Sequence, residues 1–402
     1  MKYLVIVPDG MFDHPLADLD QQTPLQVART PHMDYLAQHG MSGLVKTIPD
    51  ELPPGSDVGN MAILGYNPLQ SLTGRSPLEA ANMGITLKDN EVSFRCNLVT
   101  ERDGIMIDYS AGHIRTDEAT LLIAALNDQL GDKDITFYPG KSYRHIMVLR
   151  TDTPEEYLSL KTVPPHDIIE KPIAGHIPNG KLADRIFELM DKSRQIFGNH
   201  SVNQVRIDLQ ENPATMIWLW GQGTKPILEP FEKKYGLKGS IISAVDLVNG
   251  IGRLAGLDII DVPGATGYFD TNYAGKAEYA LASLTDHDYV YIHIESPDEA
   301  GHVGSYKEKI RAIENIDKHI VGAVRHYVEQ NPDSRMLVLP DHPTPVALRT
   351  HTHEPVGFAM YGKGIEHNGA PEYNENTTRD IGIKFSSGEE MIEWFVRENV
   401  CF

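Results

Sequence analysis

Short apolar runs alternate with segments of helical periodicity along this chain. The runs are rich in β-branched and aromatic side chains, as are the buried strands of parallel sheets. They are Tyr3–Val7, Met216–Trp220, Tyr289–Ile294, Met336–Pro340 and Gly357–Gly362. Between them, as in Tyr306–Glu329, apolar residues recur at the spacing of an amphipathic helix. This alternation predicts an α/β fold, in which a mostly parallel sheet is sandwiched by helices.

Polar or flexible residues follow four of these predicted strands. Asp9 comes after the first run, and the Gly221–Gly223 turn comes after the second. The segment Glu295–Asp298 follows the third run, and Asp341 with His342 ends the fourth. Parallel sheets bind ligands beyond the carboxyl ends of their strands, so we expect these residues to gather at one rim.

A second pattern occupies the middle of the chain. Residues 83–203 contain shorter patterned runs, an extended proline-rich segment and interspersed helices. This mixture predicts an inserted α+β domain at 83–203, within a main domain formed by residues 1–82 and 204–402.

Composition excludes several classes of protein. The chain has 36 Lys and Arg against 56 Asp and Glu, a net charge of −20, which argues against binding to duplex nucleic acid. Its only cysteines, Cys96 and Cys401, cannot form a disulfide framework and favour a reducing compartment. The longest N-terminal apolar run, Tyr3–Val7, is too short for a signal peptide or a membrane span. We therefore expect a cytoplasmic protein.

Metal-ligating side chains are concentrated in the C-terminal half. They form three clusters: Asp298 with His302, Asp341 with His342, and His351 with His353. Residues four apart on a helix share a face, so the first pair can reach one cation if its turn is helical. Mixed carboxylate and imidazole ligands suit Mn²⁺, Zn²⁺, Co²⁺ or Fe²⁺ better than Ca²⁺. The alternative to a metal site is that these are scattered loop residues with ordinary hydrogen bonds. Because three such clusters occur together, the metal site is favoured.

One serine lies where a phosphate could bind. Ser56, in the segment Pro53–Tyr66, is predicted to begin a helix that extends to Leu64. The N–H groups and dipole at a helix start attract phosphate, although a serine there more often serves as an N-cap. A serine hydroxyl becomes a nucleophile only beside a base or metal. No Gly-x-Ser-x-Gly motif surrounds Ser56, so a hydrolase triad is not supported.

Together these motifs resemble the archaeal type of cofactor-independent phosphoglycerate mutase, a branch of the alkaline phosphatase superfamily. The resemblance spans nearly the whole chain. It rests on VPDG, TPLQVARTPHMDYLAQHG, PPGSDVGNMAILGY, TGRSPLEAANMGI, SAGHI, GYFDTNYAGKAEYAL, SPDEAGH, and DHPTP followed by THTHEPV. It implies an alkaline-phosphatase-like sheet domain and an inserted substrate-binding lid.

The resemblance also implies two divalent metal ions per chain. Manganese is the expected metal, with magnesium, zinc or cobalt as alternatives. The implied ligands of one ion are Asp298, His302 and His351, and those of the other are Asp9, Ser56, Asp341 and His342. His351 is preferred to His353 because the family's ligand lies four residues before the proline that is Pro355 here.

The implied reaction interconverts 3-phosphoglycerate and 2-phosphoglycerate in glycolysis and gluconeogenesis. Ser56 would take the phosphoryl group and return it to the other hydroxyl of the glycerate, without 2,3-bisphosphoglycerate. Water would hydrolyse the phosphoserine, so a lid has to close over the site. The expected partner is a small phosphorylated metabolite, with no nucleic acid or membrane; the sequence leaves the oligomeric state open.

Cationic residues are needed for the carboxylate and phosphate of such a substrate. His113, Arg144 and Lys276 lie in segments that resemble the family's substrate-binding stretches. Arg95 and Arg75 are further candidates, because guanidinium groups bind carboxylate or phosphate through two parallel hydrogen bonds. Lys276 and Arg75 are expected in the sheet domain and the others in the insertion.

Two other functions remain open at this point. A related phosphotransferase or phosphatase acting on another small metabolite, such as a homoserine kinase-like protein, would share Ser56 and the metal ligands. The sequence contains no Gly-rich loop ending in Gly-Lys-Ser/Thr, and this weakens the kinase hypothesis. A non-catalytic protein on a retired enzyme fold would have lost a ligand or the nucleophile, whereas all seven positions are filled.

Overall fold

The chain folds into two compact units. A computed structural model describes residues 1–397, so Cys401 lies outside the described part of the chain. The first unit consists of Met1–Leu72 and the chain from Ile227 onward, and the inserted unit is Thr73–Pro226. Among the described residues, no helix is both long and apolar enough to cross a membrane.

Strands and helices alternate through most of the chain. The strands are β1 (Lys2–Pro8), β2 (Met41–Val45), β3 (Glu91–Arg102), β4 (Ile105–Asp108), β5 (Ile135–Tyr138), β6 (Arg144–Arg150), β7 (Met216–Thr224), β8 (Gly239–Ile242), β9 (Asp258–Ile259), β10 (Tyr289–Ile294), β11 (Ser334–Val338), β12 (Val356–Gly362) and β13 (Lys384–Phe385). The α-helices are α1 (Pro24–Val27), α2 (Pro31–His39), α3 (Ser56–Ile63), α4 (Pro68–Ser71), α5 (Arg75–Asn82), α6 (Thr116–Leu130), α7 (Pro154–Leu158), α8 (Ala183–Gly198), α9 (Ser201–Asp208), α10 (Phe231–Tyr235), α11 (Asp246–Leu254), α12 (Tyr273–Ser283), α13 (Ser296–His302), α14 (Tyr306–Ile316), α15 (Gly322–Gln330), α16 (Glu375–Asp380) and α17 (Gly388–Val396). Short 3₁₀ turns occur at Ala17–Leu19, Pro165–Ile168 and Ile173–Gly175.

The sheet of the first unit has eight strands in the order β13-β2-β12-β11-β1-β10-β8-β9. Every neighbouring pair is parallel except the two that involve β12. Tyr3 to Pro8 of β1 are all buried, as expected for a central parallel strand covered on both faces. The predicted fold class, a mostly parallel α/β sheet flanked by helices, is therefore confirmed.

The inserted unit is built on a smaller, antiparallel sheet. β3 pairs with β4, β6 and β7, and β6 also pairs with β5, every pair being antiparallel. Side chains from this sheet and from α6 and α8 form one core, which includes Phe94, Leu122, Phe197 and Trp218. The unit is therefore of the α+β type.

One predicted strand was found, but its assignment to the parallel sheet was wrong. The run Met216–Trp220 begins β7, which pairs antiparallel with β3 in the inserted unit, and Gly221–Gly223 continue that strand instead of forming a turn at the rim. A run buried on both sides fits either sheet, so periodicity alone could not assign it. The inserted unit spans 73–226, so it includes all of the predicted segment 83–203 and extends beyond it at both ends.

The predicted long helix at Tyr306–Glu329 is interrupted by a π-helical turn. α14 ends at Ile316, the π-helical turn spans Asp317–Val321, and α15 follows at Gly322. The carboxylate of Asp317 accepts hydrogen bonds from the backbone N–H groups of His32 and Met33, at 3.2 and 2.7 Å. These are the first-turn donors of α2, which a helix leaves unpaired, so Asp317 caps that helix from outside.

A buried ion pair ties two loops at the rim together. Lys309 of α14 and Asp13, which follows β1, are both fully buried, and their charged atoms lie 2.7 Å apart. Lys309 Nζ also donates to the carbonyls of Phe12 and Thr344, at 3.2 and 2.8 Å. Asp13 accepts a hydrogen bond from the backbone of Val346 at 3.1 Å. The loop after β1 and the loop after β11 are thus held by one lysine.

Removing this lysine should destabilise the first unit strongly. Lys309→Met leaves the Asp13 carboxylate buried without its cation, which typically costs about 3–5 kcal/mol in the free energy of unfolding. Urea unfolding followed by circular dichroism measures the difference. Lys307→Ala, an exposed position on the same helix, is the control and should change stability by less than about 0.5 kcal/mol. Equal stabilities of the two variants would contradict this assignment.

Candidate metal centre

Three neighbouring parallel strands carry their polar residues to one rim. β1 pairs with β10 on one side and with β11 on the other. Asp9 follows β1 directly, Asp298 lies in α13 just after β10, and Asp341 comes shortly after β11. As predicted, the structure brings four residues together at this rim: Asp9, Asp298, Asp341 and His342.

The first cluster joins Asp298, His302 and His351. The turn that carries Asp298 and His302 is helical, as the spacing required, and His302 Nε2 lies 3.1 Å from Asp298 Oδ2. His351 Nε2 approaches Asp298 Oδ1 at 3.4 Å. The two imidazole nitrogens are only 3.0 Å apart. His302 Nδ1 lies 3.2 Å from the Arg349 carbonyl and His351 Nδ1 lies 3.3 Å from the Pro54 carbonyl, so both rings carry a proton on Nδ1. In their neutral forms the two Nε2 atoms would therefore face each other with lone pairs, and a further proton or a cation is needed between them.

The second cluster joins Asp9, Ser56, Asp341 and His342. Ser56 is the first residue of α3, and its Oγ lies 3.3 Å from His342 Nε2. The same nitrogen is 3.5 Å from Asp9 Oδ1 and 3.5 Å from Asp341 Oδ2. Asp9, Asp341 and His342 are fully buried.

Charge repulsion in this region is strong. Burial raises the pKa of Asp9 well above its usual value, and the neighbouring carboxylates Asp341, Glu295 and Asp298 add to the shift. Burial likewise raises the pKa of Glu295 to about 8. Burial alone would also raise the pKa of Asp298, but hydrogen bonds from two histidines hold it well below its usual value. Asp9 Oδ1 has no hydrogen-bond partner among the described residues. Such a site fits a bound cation, which would offset the repulsion.

The sequence analysis did not identify two residues of the site, His293 and Asn60. His293 lies within β10, fully buried, with Nε2 at 2.9 Å from Asp9 Oδ2. Asp9, His293 and Asp341 form one group that could hold a metal ion, and Asp298, His342 and His351 form another. A histidine inside an otherwise apolar strand was the available signal for His293.

Asn60 connects the serine to the second cluster. Its Nδ2 donates to the Ser56 carbonyl at 2.9 Å and to Asp341 Oδ2 at 2.8 Å. Its Oδ1 accepts a hydrogen bond from the Tyr291 hydroxyl at 2.6 Å. The spacing of four residues from Ser56, on a helix, was the available signal for Asn60.

His353, to which His351 was preferred as a ligand, and Lys276 lie outside the two clusters. His353 does not join the clusters; it is exposed, and its Nε2 lies 2.9 Å from the Leu52 carbonyl. Lys276 is fully buried in α12, donates to the His293 carbonyl at 2.7 Å, and has its pKa lowered to about 8 by burial. Its ammonium group is therefore directed at the strand that carries His293, not at solvent.

The remaining predicted substrate residues all lie in the inserted unit. Arg75 was expected in the sheet domain, but it begins α5, which belongs to the inserted unit. Burial lowers the pKa of Arg95, the Glu79 carboxylate 3.1 Å from its Nε opposes this shift, and Arg75 and Arg144 lower the pKa further. Arg95 lies over the Trp220 ring, 4.0 Å from its centre, and His113 is exposed near Tyr143.

Comparison with known proteins decides the family. A family model described as 2,3-bisphosphoglycerate-independent phosphoglycerate mutase matches residues 37–203. A probable 2,3-bisphosphoglycerate-independent phosphoglycerate mutase of Geobacter sulfurreducens is 48% identical over 398 residues, covering 98% of this chain and 99% of the relative. The chain belongs to this family. Enzymes of the family are isomerases.

Further phosphoglycerate mutases and solved structures agree with this assignment. A family member from Methanothermobacter thermautotrophicus is 48% identical over 98% of this chain and 96% of its own length. The cofactor-independent phosphoglycerate mutase of Thermoplasma acidophilum has a TM-score of 0.67 at 25% identity, covering 98% of each chain. A solved protein from Pyrococcus horikoshii has a TM-score of 0.82 at 26% identity, covering 100% of this chain and 98% of that one. The resemblance to phosphoglycerate mutases seen in the sequence is confirmed.

Two tyrosines of β10 offer a matched test of the Asn60 network. Tyr291 and Tyr289 are both fully buried, but the Tyr289 hydroxyl has no hydrogen-bond partner among the described residues. Tyr291→Phe should lower the free energy of unfolding by about 1–2 kcal/mol, because it leaves the side-chain amide oxygen of Asn60, Oδ1, without its hydrogen bond. Tyr289→Phe should leave stability unchanged or raise it. Chemical denaturation measures both, and a larger loss at Tyr289 would overturn the network.

Proposed function

We propose that this chain interconverts 3-phosphoglycerate and 2-phosphoglycerate through a phosphoserine at Ser56, within a two-metal centre. The observation that carries the proposal is the position of Ser56 Oγ. It lies at the start of a helix, 3.3 Å from His342 Nε2, beside the buried carboxylates Asp9 and Asp341. Gly55 occupies the N-cap position of α3, so the Ser56 hydroxyl does not serve as an ordinary N-cap.

The donor set fits two divalent cations. Asp298, His302 and His351 would hold one, and Asp9, Ser56, Asp341 and His342 would hold the other. When bound, such cations would lower the pKa of the serine hydroxyl and neutralise charge on the phosphoryl oxygens. Carboxylate, hydroxyl and imidazole donors suit manganese, and magnesium, zinc or cobalt are compatible with the same set. His293 is an additional ligand candidate, since it lies against Asp9.

The chain's own groups account for the transfer. Ser56 Oγ forms a bond to phosphorus while the bond from phosphorus to the glycerate oxygen breaks, and the serine proton goes to that oxygen. The reverse exchange on the other glycerate hydroxyl restores the serine and completes the isomerisation. The N–H groups at the start of α3 would face the phosphoryl group. Asn60 holds the Ser56 carbonyl and so fixes the first turn of that helix.

The anionic substrate requires cations besides the metals. We propose Arg75, Arg95 and Arg144 of the inserted unit, with His113, as anion-binding groups, because guanidinium groups bind carboxylates bidentately. Lys276 has a different role in this proposal. Its buried ammonium group lies near the carboxylate of Glu295, so it would offset negative charge beneath the metal centre.

The first experiment tests the nucleophile. A coupled enolase assay without 2,3-bisphosphoglycerate, on metal-reconstituted protein, should show conversion of 3-phosphoglycerate by wild type and none by Ser56→Ala. After incubation with ³²P-labelled substrate and acid quench, only wild type should carry label. Ser387→Ala, which removes the cap of α17 instead, should lose about 1 kcal/mol of stability and keep its activity.

The outcomes separate the candidate reactions. The wild-type protein could be inactive on 3-phosphoglycerate and yet slowly hydrolyse generic phosphate esters. That result would support the proposed metal centre and refute the proposed substrate. In that case homoserine with ATP would be tested next. Full activity of Ser56→Ala would refute the phosphoserine route.

The second experiment counts metals. Protein reconstituted with Mn²⁺ and freed of excess metal should contain two ions per chain by elemental analysis, and dialysis against EDTA should abolish turnover until Mn²⁺ is restored. Asp298→Asn should lower the count toward one, because Asp298 is a proposed ligand of the first ion only. A wild type with no bound metal would refute the proposed centre.

A further inference from the structure

One hydroxyl group joins the two clusters of the candidate metal centre. Thr344 is fully buried in the loop after β11. Its Oγ1 donates a short hydrogen bond to Asp298 Oδ1, in the first cluster, and lies 3.2 Å from His342 Nδ1, in the second.

The proton count of a hydroxyl fixes the direction of both bonds. A threonine hydroxyl has one proton to donate and lone pairs to accept with. Asp298 lies beside two imidazoles, which favour its ionised form, and an ionised carboxylate can only accept. The single hydroxyl proton therefore points at Asp298, and the contact with His342 requires a proton on Nδ1 of that ring. His342 Nε2 is then left with a lone pair.

That lone pair faces the second cluster. His342 Nε2 is the atom that lies 3.3 Å from Ser56 Oγ and 3.5 Å from carboxylate oxygens of Asp9 and Asp341. A metal-ligating histidine usually donates its other ring N–H to an oxygen that fixes the tautomer. Thr344 Oγ1 occupies the position of that oxygen here.

The backbone around Thr344 is held rigidly. Its carbonyl accepts from Lys309 Nζ at 2.8 Å, and its N–H donates to the Phe12 carbonyl at 3.2 Å. Gly10 packs so closely that a Cβ there would lie 2.5 Å from Thr344 Oγ1 and 2.6 Å from Asp298 Oδ1. The hydroxyl therefore cannot swing away without moving the loops themselves.

We propose that Thr344 is a positioning residue, whose hydroxyl sets the tautomer of His342 and orients Asp298, so that both clusters are prepared for cations together. The inference rests on the proposed metal centre, and it adds a residue that contacts neither metal nor substrate. It differs from a packing role, because a methyl group of the same size would fill the same space without making either hydrogen bond.

Mn²⁺ titration of three variants of the full chain tests this proposal. Thr344→Val keeps the shape and should weaken Mn²⁺ binding by about 10–100-fold in calorimetry. Thr344→Ser keeps the hydroxyl and should restore an affinity close to that of wild type. The control is Thr378→Val, which removes another fully buried hydroxyl, bonded to the Asn374 carbonyl, and should leave Mn²⁺ binding unchanged. Wild-type affinity in Thr344→Val would overturn the proposal.

A measurement on unmutated protein covers the case in which the valine variant fails to fold. Long-range ¹H–¹⁵N spectra of the metal-free wild type, with the His342 signals assigned through His342→Gln, should show Nδ1 protonated and Nε2 unprotonated. The opposite tautomer would overturn the proposal. If wild type binds no Mn²⁺, the metal centre itself fails, while the tautomer still decides whether Thr344 orients His342.

Discussion

The structure depends on holding four carboxylates close together at the rim of one sheet. Asp9, Asp298 and Asp341 are buried and Glu295 is largely so, and each raises the energy of its ionised neighbours. Buried like charges persist only where positive groups compensate them. His302, whose pKa is raised to about 9 by its hydrogen bond to Asp298, and the buried Lys276 supply part of that compensation. The loops are fixed by further polar contacts beneath the rim. A fold that positions acids so firmly against their repulsion is adapted to receive cations.

Much of this arrangement was predictable because strand ends follow from simple patterns. A short run of β-branched residues that ends in a turn locates Asp9, and the same reasoning locates Asp298 and Asp341. Since parallel strands share one carboxyl edge, three such endings imply one site, and the structure confirms that they meet. The turn from Asp298 to His302 is helical, which is the condition under which their spacing of four residues lets both reach one cation. The roles of these groups as metal ligands came from resemblance, and they remain proposals.

Other parts were beyond the sequence for physical reasons. The run Met216–Trp220 is apolar enough for either sheet, and only pairing with β3, which is distant in the sequence, decides between them. Thr344 and Asn60 act through single hydrogen bonds whose partners lie in other segments, so no periodicity reports them. Lys276 looked like a substrate cation because its segment resembles the family's, yet its side chain is fully buried. Burial of a charged residue is a tertiary property, which local pattern does not encode.

The order of strands in the first unit has a consequence for how the chain is made. β1 is synthesised before the other described strands, but both of its partners, β10 and β11, belong to the last third of the sequence. Residues 73–226, by contrast, are contiguous and contain all the strands of their own sheet. During synthesis the inserted unit can therefore complete its core while β1 and β2 are still unpaired. The first unit is dominated by contacts of long sequence separation, which fold slowly and leave apolar strands exposed in the meantime. Folding of the nascent chain should thus start in the middle, and the N-terminal strand should be among the segments most dependent on chaperones.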